Sequence, residues 1–276
     1  MKIINSTLEI GVEVPFKILH ISDTHLAYAD MRDGERKVKL ANDRAPHFRA
    51  GEDVLECVSK MSKELNAPIV HTGDLIDFVS EANLERVKSF VDDNDLFMAA
   101  GNHEFSLFVG EAKEDAAYRE QSLSKVQSVF KNDIRMSSRV IGGVNFVAID
   151  NGYYLIEREQ LDFIKKEVKR GLPVILLVHT PFYEKNFYED QIKIKKEDSA
   201  YLIAVPEELM EEYPPDRKEQ QTADEVTLQA VEYIAHEPAI KGVISGHLHD
   251  NYDGFTECGK PQLVTSCTDI RVIEIK

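Results

Sequence analysis

The sequence predicts an α/β domain whose sheets combine parallel and antiparallel strands. Short apolar segments of strand length alternate with longer helical segments, a pattern typical of parallel crossovers. One segment, "SRVIGGVNFVAID", instead carries Gly142-Gly143, which suits the tight turn of an antiparallel hairpin. The chain has 276 residues, with 43% hydrophobic and 30% charged residues, which are ordinary values for globular proteins. We therefore expect a single domain spanning residues 1–276.

The first half of the chain contains three predicted strands separated by helices. The strand segments are "FKILHIS" (16–22), "APIVHT" (67–72) and "LFMAA" (96–100), and the helical segments are 51–65, 81–92 and 111–130. The strand segments are short and largely apolar, which is typical of strands buried on both faces.

The second half begins with the hairpin and continues the alternation. The predicted elements that follow the hairpin are helix 157–170, strand "PVILLV" (173–178), helix 224–236, strand "KGVIS" (241–245) and two closing strands, "PQLVTS" and "IRVIEIK". These mixed strand types indicate an α/β domain with antiparallel portions.

Charge and cysteine content exclude some classes of function. The chain has 33 basic and 49 acidic residues, a net charge of −16, which opposes attraction of polyanions, so nucleic acid is an unlikely partner by this argument. A small phosphate ester is still compatible, because bound divalent cations reverse the field locally. Cys57, Cys258 and Cys267 are scattered, which argues against a disulfide framework and a thiolate zinc site.

The sequence gives no membrane signal. No apolar run has membrane-spanning length, and the start, "MKIINSTLEIGVEV", lacks the basic patch and apolar core of a signal peptide. We therefore expect a cytoplasmic protein without membrane contact.

Side chains able to bind metals follow five of the predicted strands. Because the carboxyl ends of strands in open α/β sheets line one crevice, we expect these side chains to converge. Glycines precede three of these positions, where they permit sharp turns and close backbone approach. The candidates are Asp23 and His25, then Asp74, then Asn102 and His103, then His179, then His247 and His249, and the glycines are Gly73, Gly101 and Gly246.

The stretch "VISGHLHD" places two histidines two residues apart. In extended backbone, residues i and i+2 project to the same side, so His247 and His249 could face one point. Taken alone, the pair is equally compatible with solvated or hydrogen-bonded histidines. Only the five strand ends together favour a metal site.

The chemistry of this set suits divalent cations. Carboxylate, amide and imidazole ligands without thiolate fit manganese, iron, zinc or nickel. Even without His103, two carboxylates, one amide and four histidines exceed what one ion with an open position needs. Two ions roughly 3.5 to 4 Å apart would activate a bridging water and stabilise an in-line phosphoryl displacement.

The ordered series D-x-H, G-D, G-N-H-E, H and G-H-x-H resembles the calcineurin-like metallophosphoesterase superfamily. The series runs from Asp23 to His249, most of the chain. The resemblance implies a four-layer α/β/β/α sandwich of two mixed β-sheets flanked by helices. It also implies a hydrolase of phosphate mono- or diesters with two divalent metal ions and attack by a metal-bridging hydroxide.

The resemblance assigns roles by matching position. It implies a first metal held by Asp23, His25 and His249, a second held by Asn102, His179 and His247, and a bridge formed by Asp74. His103 would stabilise the transition state or protonate the leaving oxygen, and Asp77 would pair with His103 and orient it. A packing role for His103 is the alternative.

Differences from two related families reduce the range of substrate classes. Phe78-Val79 replaces the Arg-Gly of Ser/Thr protein phosphatases, and Asp77 stands where purple acid phosphatases have a tyrosine ligand. The chain then looks like the bacterial cyclic nucleotide phosphodiesterases and small-molecule phosphatases. A catalytically silent scaffold for protein binding and a nuclease are the two other hypotheses, and oligomeric state, native metals and substrate stay open.

Two long segments and four histidines complete the predictions. Residues 26–50 and 183–223 read as irregular lids or specificity loops beside the site. The arginines of the first segment could contact phosphate or offset neighbouring acids, and no role is assigned to Arg32, Arg36, Arg44 or Arg49. His20 and His71 are expected to be hydrogen-bonded core residues, and His47 and His236 surface residues.

Overall fold

The computed structural model describes residues 1–276, which form two mixed β-sheets with helices on their outer faces. The strands are β1 (Ile3–Leu8), β2 (Phe16–Ile21), β3 (Ile69–His71), β4 (Leu96–Met98), β5 (Met136–Ile141), β6 (Val144–Ile149), β7 (Val174–Leu177), β8 (Ile240–Ser245), β9 (Tyr252–Phe255), β10 (Pro261–Val264) and β11 (Ile270–Ile275). The α-helices are α1 (Glu35–Arg44), α2 (Gly51–Leu65), α3 (Glu81–Asp93), α4 (Ala116–Glu120), α5 (Leu123–Gln127), α6 (Arg158–Val168), α7 (Lys185–Glu189), α8 (Pro215–Gln221) and α9 (Glu225–His236).

The first sheet has five strands in the order β1-β11-β2-β3-β4. β2, β3 and β4 are parallel neighbours joined by α2 and α3, whereas β11 is antiparallel to β2. The crossovers bring the carboxyl ends of β2, β3 and β4 to one edge of this sheet.

The second sheet has six strands in the order β5-β6-β7-β8-β10-β9. β5 and β6 form the predicted hairpin, and β6, β7 and β8 are parallel. α6 connects β6 to β7, and α9 precedes β8. The carboxyl ends of β7 and β8 lie at the same edge of this sheet.

Three apolar cores define four layers. The core between the sheets contains Ile18 and Phe97 from the first sheet and Phe146 and Ile175 from the second, all 0 to 2% exposed. A second core packs the outer face of the first sheet on α2 and α3, and a third packs the second sheet on α6 and α9. The predicted four-layer α/β/β/α sandwich is confirmed.

Most predicted elements agree with the structure, but two strands were missed and one predicted helix is divided. No element was predicted before residue 16, but Ile3–Leu8 pairs in parallel with β11. β9 was also missed, and its alternating half-exposed pattern places it at the sheet edge. The predicted helix 111–130 is two short helices, because the backbone of Ser122 between them has a φ of −125°, outside the helical range, and the Ser122 hydroxyl donates to the carbonyl of Phe105.

The two segments predicted as irregular loops contain helices. Residues 26–50 include α1, and residues 183–223 include α7, a π-helical turn at Asp190–Ile194 and α8. The second segment has an apolar cluster of its own that includes Phe187, Leu202 and Met210. Segment-internal packing therefore provides order that the polar sequence did not indicate.

None of the helices combines the length and apolar character needed to span a membrane.

Candidate metal centre

The structure brings all seven predicted ligands and His103 to one edge of the sandwich. Each follows the carboxyl end of β2, β3, β4, β7 or β8. The sheets pack face to face, so loops from both sheets contribute. The side chains that follow these five strands lie close together, as the sequence predicted.

One group consists of Asp23, His25 and His249, whose ligand atoms all lie within 4.8 Å of one another. Nε2 of His25 is 2.9 Å from Nε2 of His249, and Oδ1 of Asp23 is 3.6 Å from the latter nitrogen. Asp23 and His25 are buried, whereas the side chain of His249 is 40% exposed. This group therefore opens to solvent on the His249 side.

A second group consists of Asp74, His179 and His247, with Asn102 beside it. Nε2 of His179 lies 3.0 Å from Nδ1 of His247, 3.2 Å from Oδ1 of Asn102 and 3.3 Å from Oδ2 of Asp74. Each of these atoms can offer a lone pair to a cation.

A single oxygen of Asp74 faces both groups. Its Oδ2 lies 3.6 Å from Nε2 of His25 and 3.3 Å from Nε2 of His179. The other oxygen, Oδ1, accepts a hydrogen bond of 2.9 Å from the backbone N–H of His103. This bond fixes the carboxylate so that Oδ2 lies between the two groups.

Three of the histidines form a hydrogen bond with the ring nitrogen that points away from the other ligand candidates. Nδ1 of His25 bonds Asp77, Nδ1 of His179 donates to the carbonyl of Thr72, and Nε2 of His247 contacts the hydroxyl of Tyr154, at 3.1, 2.8 and 2.7 Å. The remaining ring nitrogens face carboxylate, amide and imidazole acceptors. Lone pairs gathered in this way suit metal ions, whose histidine ligands are usually held by an outer hydrogen bond.

The two facing imidazoles of the second group have opposite pKa shifts. Burial and the charge of His179 keep the pKa of His247 well below 6.5. Burial also acts to lower the pKa of His179, but the charge of Asp74 outweighs it and raises this pKa to about 9. A cation bound here would need both facing nitrogens unprotonated.

Five of the seven ligand candidates have strained backbone. Asp23, His25, Asp74, His247 and His249 all have positive φ values, between 45° and 71°. Left-handed backbone is uncommon for residues other than glycine, and it clusters where surrounding structure enforces a functional geometry.

This backbone corrects the geometry predicted for the histidine pair. β8 ends at Ser245, and both His247 and His249 are left-handed with φ of 71° and 53°, so they are not in extended backbone. They also contribute to different groups. The turn after β8 directs the two side chains to different groups, as the family resemblance implied, and not to one point.

Close backbone approach explains two of the glycines. A Cβ at Gly246 would overlap Ser22 and the carboxylate of Asp23, and one at Gly101 would overlap the carboxylate of Asp74. Both glycines therefore let loops of neighbouring strands come into contact at the site.

Asp77 contacts two histidines and an arginine. Its Oδ1 lies 3.1 Å from Nδ1 of His25 and 3.2 Å from Nδ1 of His103, and Arg44 donates to both carboxylate oxygens at 2.7 and 2.8 Å. Burial acts to raise the pKa of Asp77, but the bonds from Arg44, His103 and His25 hold it below its usual range. The role of Arg44 was missed in the sequence analysis, because no local sequence feature distinguishes it from the other three arginines of residues 26–50.

His103 is oriented by Asp77 and is only partly covered. Its Nδ1 donates to the backbone carbonyl of Asp77 at 2.8 Å, so Nε2 is the free ring nitrogen. The side chain is 15% exposed, whereas those of His25 and His179 are 0 to 1% exposed. Burial acts to lower the pKa of His103, but the charges of Asp74 and Asp77 raise it to about 10.

Glu104 connects two of the site loops. It is the last residue of the G-N-H-E motif, but it was assigned no role in the sequence analysis. Its carboxylate accepts hydrogen bonds of 2.7 Å from the backbone N–H groups of Asp74, Leu75 and Gly101. Burial and the charge of Asp74 raise the pKa of Glu104 to about 7. The loops after β3 and β4 are thus held in register by one side chain.

Two further contacts at the site had no sequence signal. Tyr154, 3% exposed, contacts His247, and Glu114 accepts a hydrogen bond of 3.3 Å from Nδ2 of Asn102. The second contact turns Oδ1 of Asn102 towards His179. Both partners come from other parts of the chain, so only the fold reveals them.

The other four histidines lie where they were predicted. His20 is buried and bonds the hydroxyls of Thr72 and Thr265 at 2.8 and 2.7 Å, and His71 accepts from the backbone N–H of Gly73 at 3.1 Å. His47 and His236 are exposed.

The sequence model of the calcineurin-like phosphoesterase family matches residues 16–251. The chain belongs to this family. As a calcineurin-like phosphoesterase it is a metal-dependent phosphoesterase, and its His/Asp groups could hold metal ions. The predicted superfamily is thereby confirmed.

Two solved structures that are similar to this chain have low sequence identity to it. A dimetal phosphatase from Danio rerio is 13% identical with a TM-score of 0.52, and the alignment covers 91% of this chain and 87% of that one. The phosphopantetheinyl hydrolase PptH from Mycobacterium tuberculosis is 10% identical with a TM-score of 0.46, covering 95% and 90%. No curated protein gives a significant sequence match.

Proposed function

We propose that this calcineurin-like phosphoesterase hydrolyses small phosphate mono- or diesters with two divalent cations. The position of Asp74 carries the proposal, since its Oδ2 faces both His25 and His179 within 3.6 Å. Asp23, His25 and His249 would hold one cation and Asn102, His179 and His247 the other, with Asp74 between them. Manganese, iron, zinc and nickel all suit this donor set.

The bound cations would supply a water activated near neutral pH and positive charge for the phosphoryl oxygens. The protein residues fix the geometry. Glu104 holds the loops of Asp74 and Gly101, and the outer hydrogen bonds of His25, His179 and His247 fix their ring orientations. A rigid donor set is the condition for cation chemistry at a defined distance.

His103 is the group we assign to the leaving oxygen. Its Nδ1–H is committed to the carbonyl of Asp77, and its charged form is favoured by Asp74 and Asp77. The proton on Nε2 is then the one that can be given to the departing alkoxide, a general-acid step that suits imidazolium. Asp77 acts as the orienting partner.

We infer that the whole chain is one domain, in which residues 183–223 are an insertion that shapes access to the site. α9 follows it and packs on the second sheet, to which the next strand, β8, belongs, so the insertion interrupts the sandwich without dividing it.

The decisive experiment combines metal analysis with turnover. The protein is purified, its metals are quantified by mass spectrometry, and hydrolysis of p-nitrophenyl phosphate and bis-p-nitrophenyl phosphate is measured after chelation and after adding Mn²⁺, Fe²⁺, Zn²⁺ or Ni²⁺. We expect about two ions per chain, loss of turnover on chelation and recovery on addition.

Other outcomes separate the alternatives. A full metal complement without turnover of either ester favours a scaffold for protein binding. Salt-dependent binding and cleavage of single-stranded or duplex DNA, faster than either small ester, favours a nuclease.

A further inference from the structure

The insertion at 183–223 contacts the metal centre on the side of the second group. The ring of Tyr201 lies 6.2 Å from that of His247, and Cζ of Arg217 in α8 lies 5.4 Å from the centre of the Tyr201 ring. These separations place the guanidinium one residue layer outside the proposed cation ligands.

A continuous chain of hydrogen bonds links Arg217 to Asn102. Arg217 donates to Oε1 of Gln220 at 2.9 Å, Gln220 donates to Oε2 of Glu114 at 3.2 Å, and Asn102 donates to Oε1 of Glu114 at 3.3 Å. Gln220 therefore lies between the guanidinium of Arg217 and the carboxylate of Glu114. Arg217 is held beside the site without a direct ion pair.

The lack of an ion pair is unusual in this molecule. In a chain with a net charge of −16, only Arg49, Arg158 and Arg217 among the arginines have no carboxylate within 4.0 Å. Arg49 and Arg158 are exposed, whereas Arg217 is partly buried. Arg217 uses one hydrogen bond, so most of its five donors are available to another group.

The insertion is anchored well enough to position this side chain. The ring of Phe187 stacks on Tyr252 of β9 at 3.8 Å, the hydroxyl of Tyr252 donates to Glu184 at 2.8 Å, and Lys113 pairs with Glu219 of α8. These contacts hold α7 against β9 and α8 against the loop after β4, and the buried Gln221 of α8 also donates to the hydroxyl of Ser199 at 3.4 Å. The guanidinium is therefore presented from a packed element.

We propose that Arg217 determines specificity by binding a second anionic group, a phosphate, carried by the leaving portion of the substrate. This inference rests on the proposed phosphoesterase function. In the proposed function, two cations and His103 would bind the reacting phosphate. Arg217 lies one residue layer farther from the centre, so it would contact a different part of the substrate. A planar guanidinium matches two phosphate oxygens, and partial burial strengthens this pairing.

The test uses substrates that differ only in the second phosphate. The bisphosphates of ethane-1,2-diol, propane-1,3-diol and butane-1,4-diol are compared with the monophosphates of the same diols. For the wild-type protein, we expect KM to be at least about tenfold lower for the bisphosphate than for the monophosphate at one spacer length, which corresponds to about 1.4 kcal/mol of binding.

Variants assign that preference to the guanidinium. Arg217→Met should raise KM for the preferred bisphosphate about tenfold, with kcat and the monophosphate KM changed less than about twofold, and Arg217→Lys should recover part of the effect. Arg158→Met is the matched control, because Arg158 also has one amide partner, Gln229, at 2.7 Å. Equal effects on mono- and bisphosphates, or no wild-type preference at any spacer, would overturn the proposal.

A binding measurement keeps this test separate from turnover. Calorimetric titration of butane-1,4-bisphosphonate and butylphosphonate, which cannot be hydrolysed, needs no catalysis. Weaker binding of only the bisphosphonate to Arg217→Met supports the inference even if neither ester class is hydrolysed, in which case the proposed function alone fails. Equal binding of both phosphonates to wild type and Arg217→Met refutes it.

Discussion

The hydroxyl of Tyr154 lies 2.7 Å from Nε2 of His247, on the opposite side of the imidazole from Nδ1, which faces His179 at 3.0 Å. A histidine ring that donates from Nε2 keeps its Nδ1 lone pair free. This contact fixes which nitrogen of His247 is presented to the metal centre. The tyrosine thus positions a proposed ligand without being one.

Removing this hydroxyl should weaken one cation position selectively. For Tyr154→Phe, we expect affinity at the second group to fall about 10- to 100-fold, because an outer hydrogen bond to the ligand is lost. Affinity at the first group should stay within about twofold. Calorimetric titration of the metal-free protein with Mn²⁺ measures both.

Tyr153 offers a matched control for this prediction. Its hydroxyl is buried and has no hydrogen-bond partner, so Tyr153→Phe removes an equivalent atom without removing a contact. Metal affinity should be unchanged in this variant. If both variants lost affinity equally, packing around the tyrosines, and not the bond to His247, would be the cause.

Asp74→Ala should abolish turnover and reduce bound metal by more than one ion per chain. The reason is that Oδ2 of Asp74 faces both His25 and His179, so its loss removes a ligand from each group. Metal content by mass spectrometry and hydrolysis of p-nitrophenyl phosphate provide the measurements. Asp43→Ala, at an exposed residue in α1, is the control, and retained activity with full metal content would contradict the bridging assignment.

His103→Ala should keep the metals and lose mainly rate. A general acid contributes about 10²- to 10⁴-fold, so kcat should fall by that order. The loss should be smaller for an ester with a good leaving group such as p-nitrophenolate than for an alkyl ester, which needs the proton. The exposed His47 serves as the control through His47→Ala, and loss of metal equal to the loss of rate would show that His103 is a ligand.

Acid should destabilise the protein in part through His20, which is not a proposed ligand. Burial and the charge of Arg271 keep the pKa of His20 well below 6.5, so the unfolded chain binds a proton that the folded chain rejects. Stability should therefore fall as pH drops below about 6.5, by up to about 1.4 kcal/mol per pH unit for one such group. Above that pH this contribution is constant.

Urea unfolding of the metal-free protein between pH 7 and pH 5 provides the check. His20→Gln should lower stability at pH 7, because the bonds to Thr72 and Thr265 change, but it should reduce the pH slope. His236→Gln, at an exposed histidine, should leave the slope unchanged. If the free energy of unfolding changed with pH equally in wild type and in His20→Gln, protonation of His20 would not contribute to acid destabilisation.

The sequence by itself determined the order of most strands and of the helices that pack on the sheets, together with the chemistry at the strand ends. Apolar runs such as "PVILLV" must be buried wherever they lie, and β7 is fully buried. Crossovers between parallel strands carry the side chains that follow such runs to one edge of a sheet, so Asp23 and Asp74 could be grouped from their order in the chain. The order of the motifs, which resembles that of the family, added His179 of the second sheet to this group.

Only the tertiary structure decided which partners these side chains meet. Arg44 contacts Asp77 across 33 positions, Tyr154 contacts His247 across 93, and Gln220 contacts Glu114 across 106. No local periodicity encodes such pairs, because they depend on how loops from two sheets pack. The left-handed backbone at His247 and His249 has the same origin, since neighbouring loops, and not local propensity, hold a strained conformation in place.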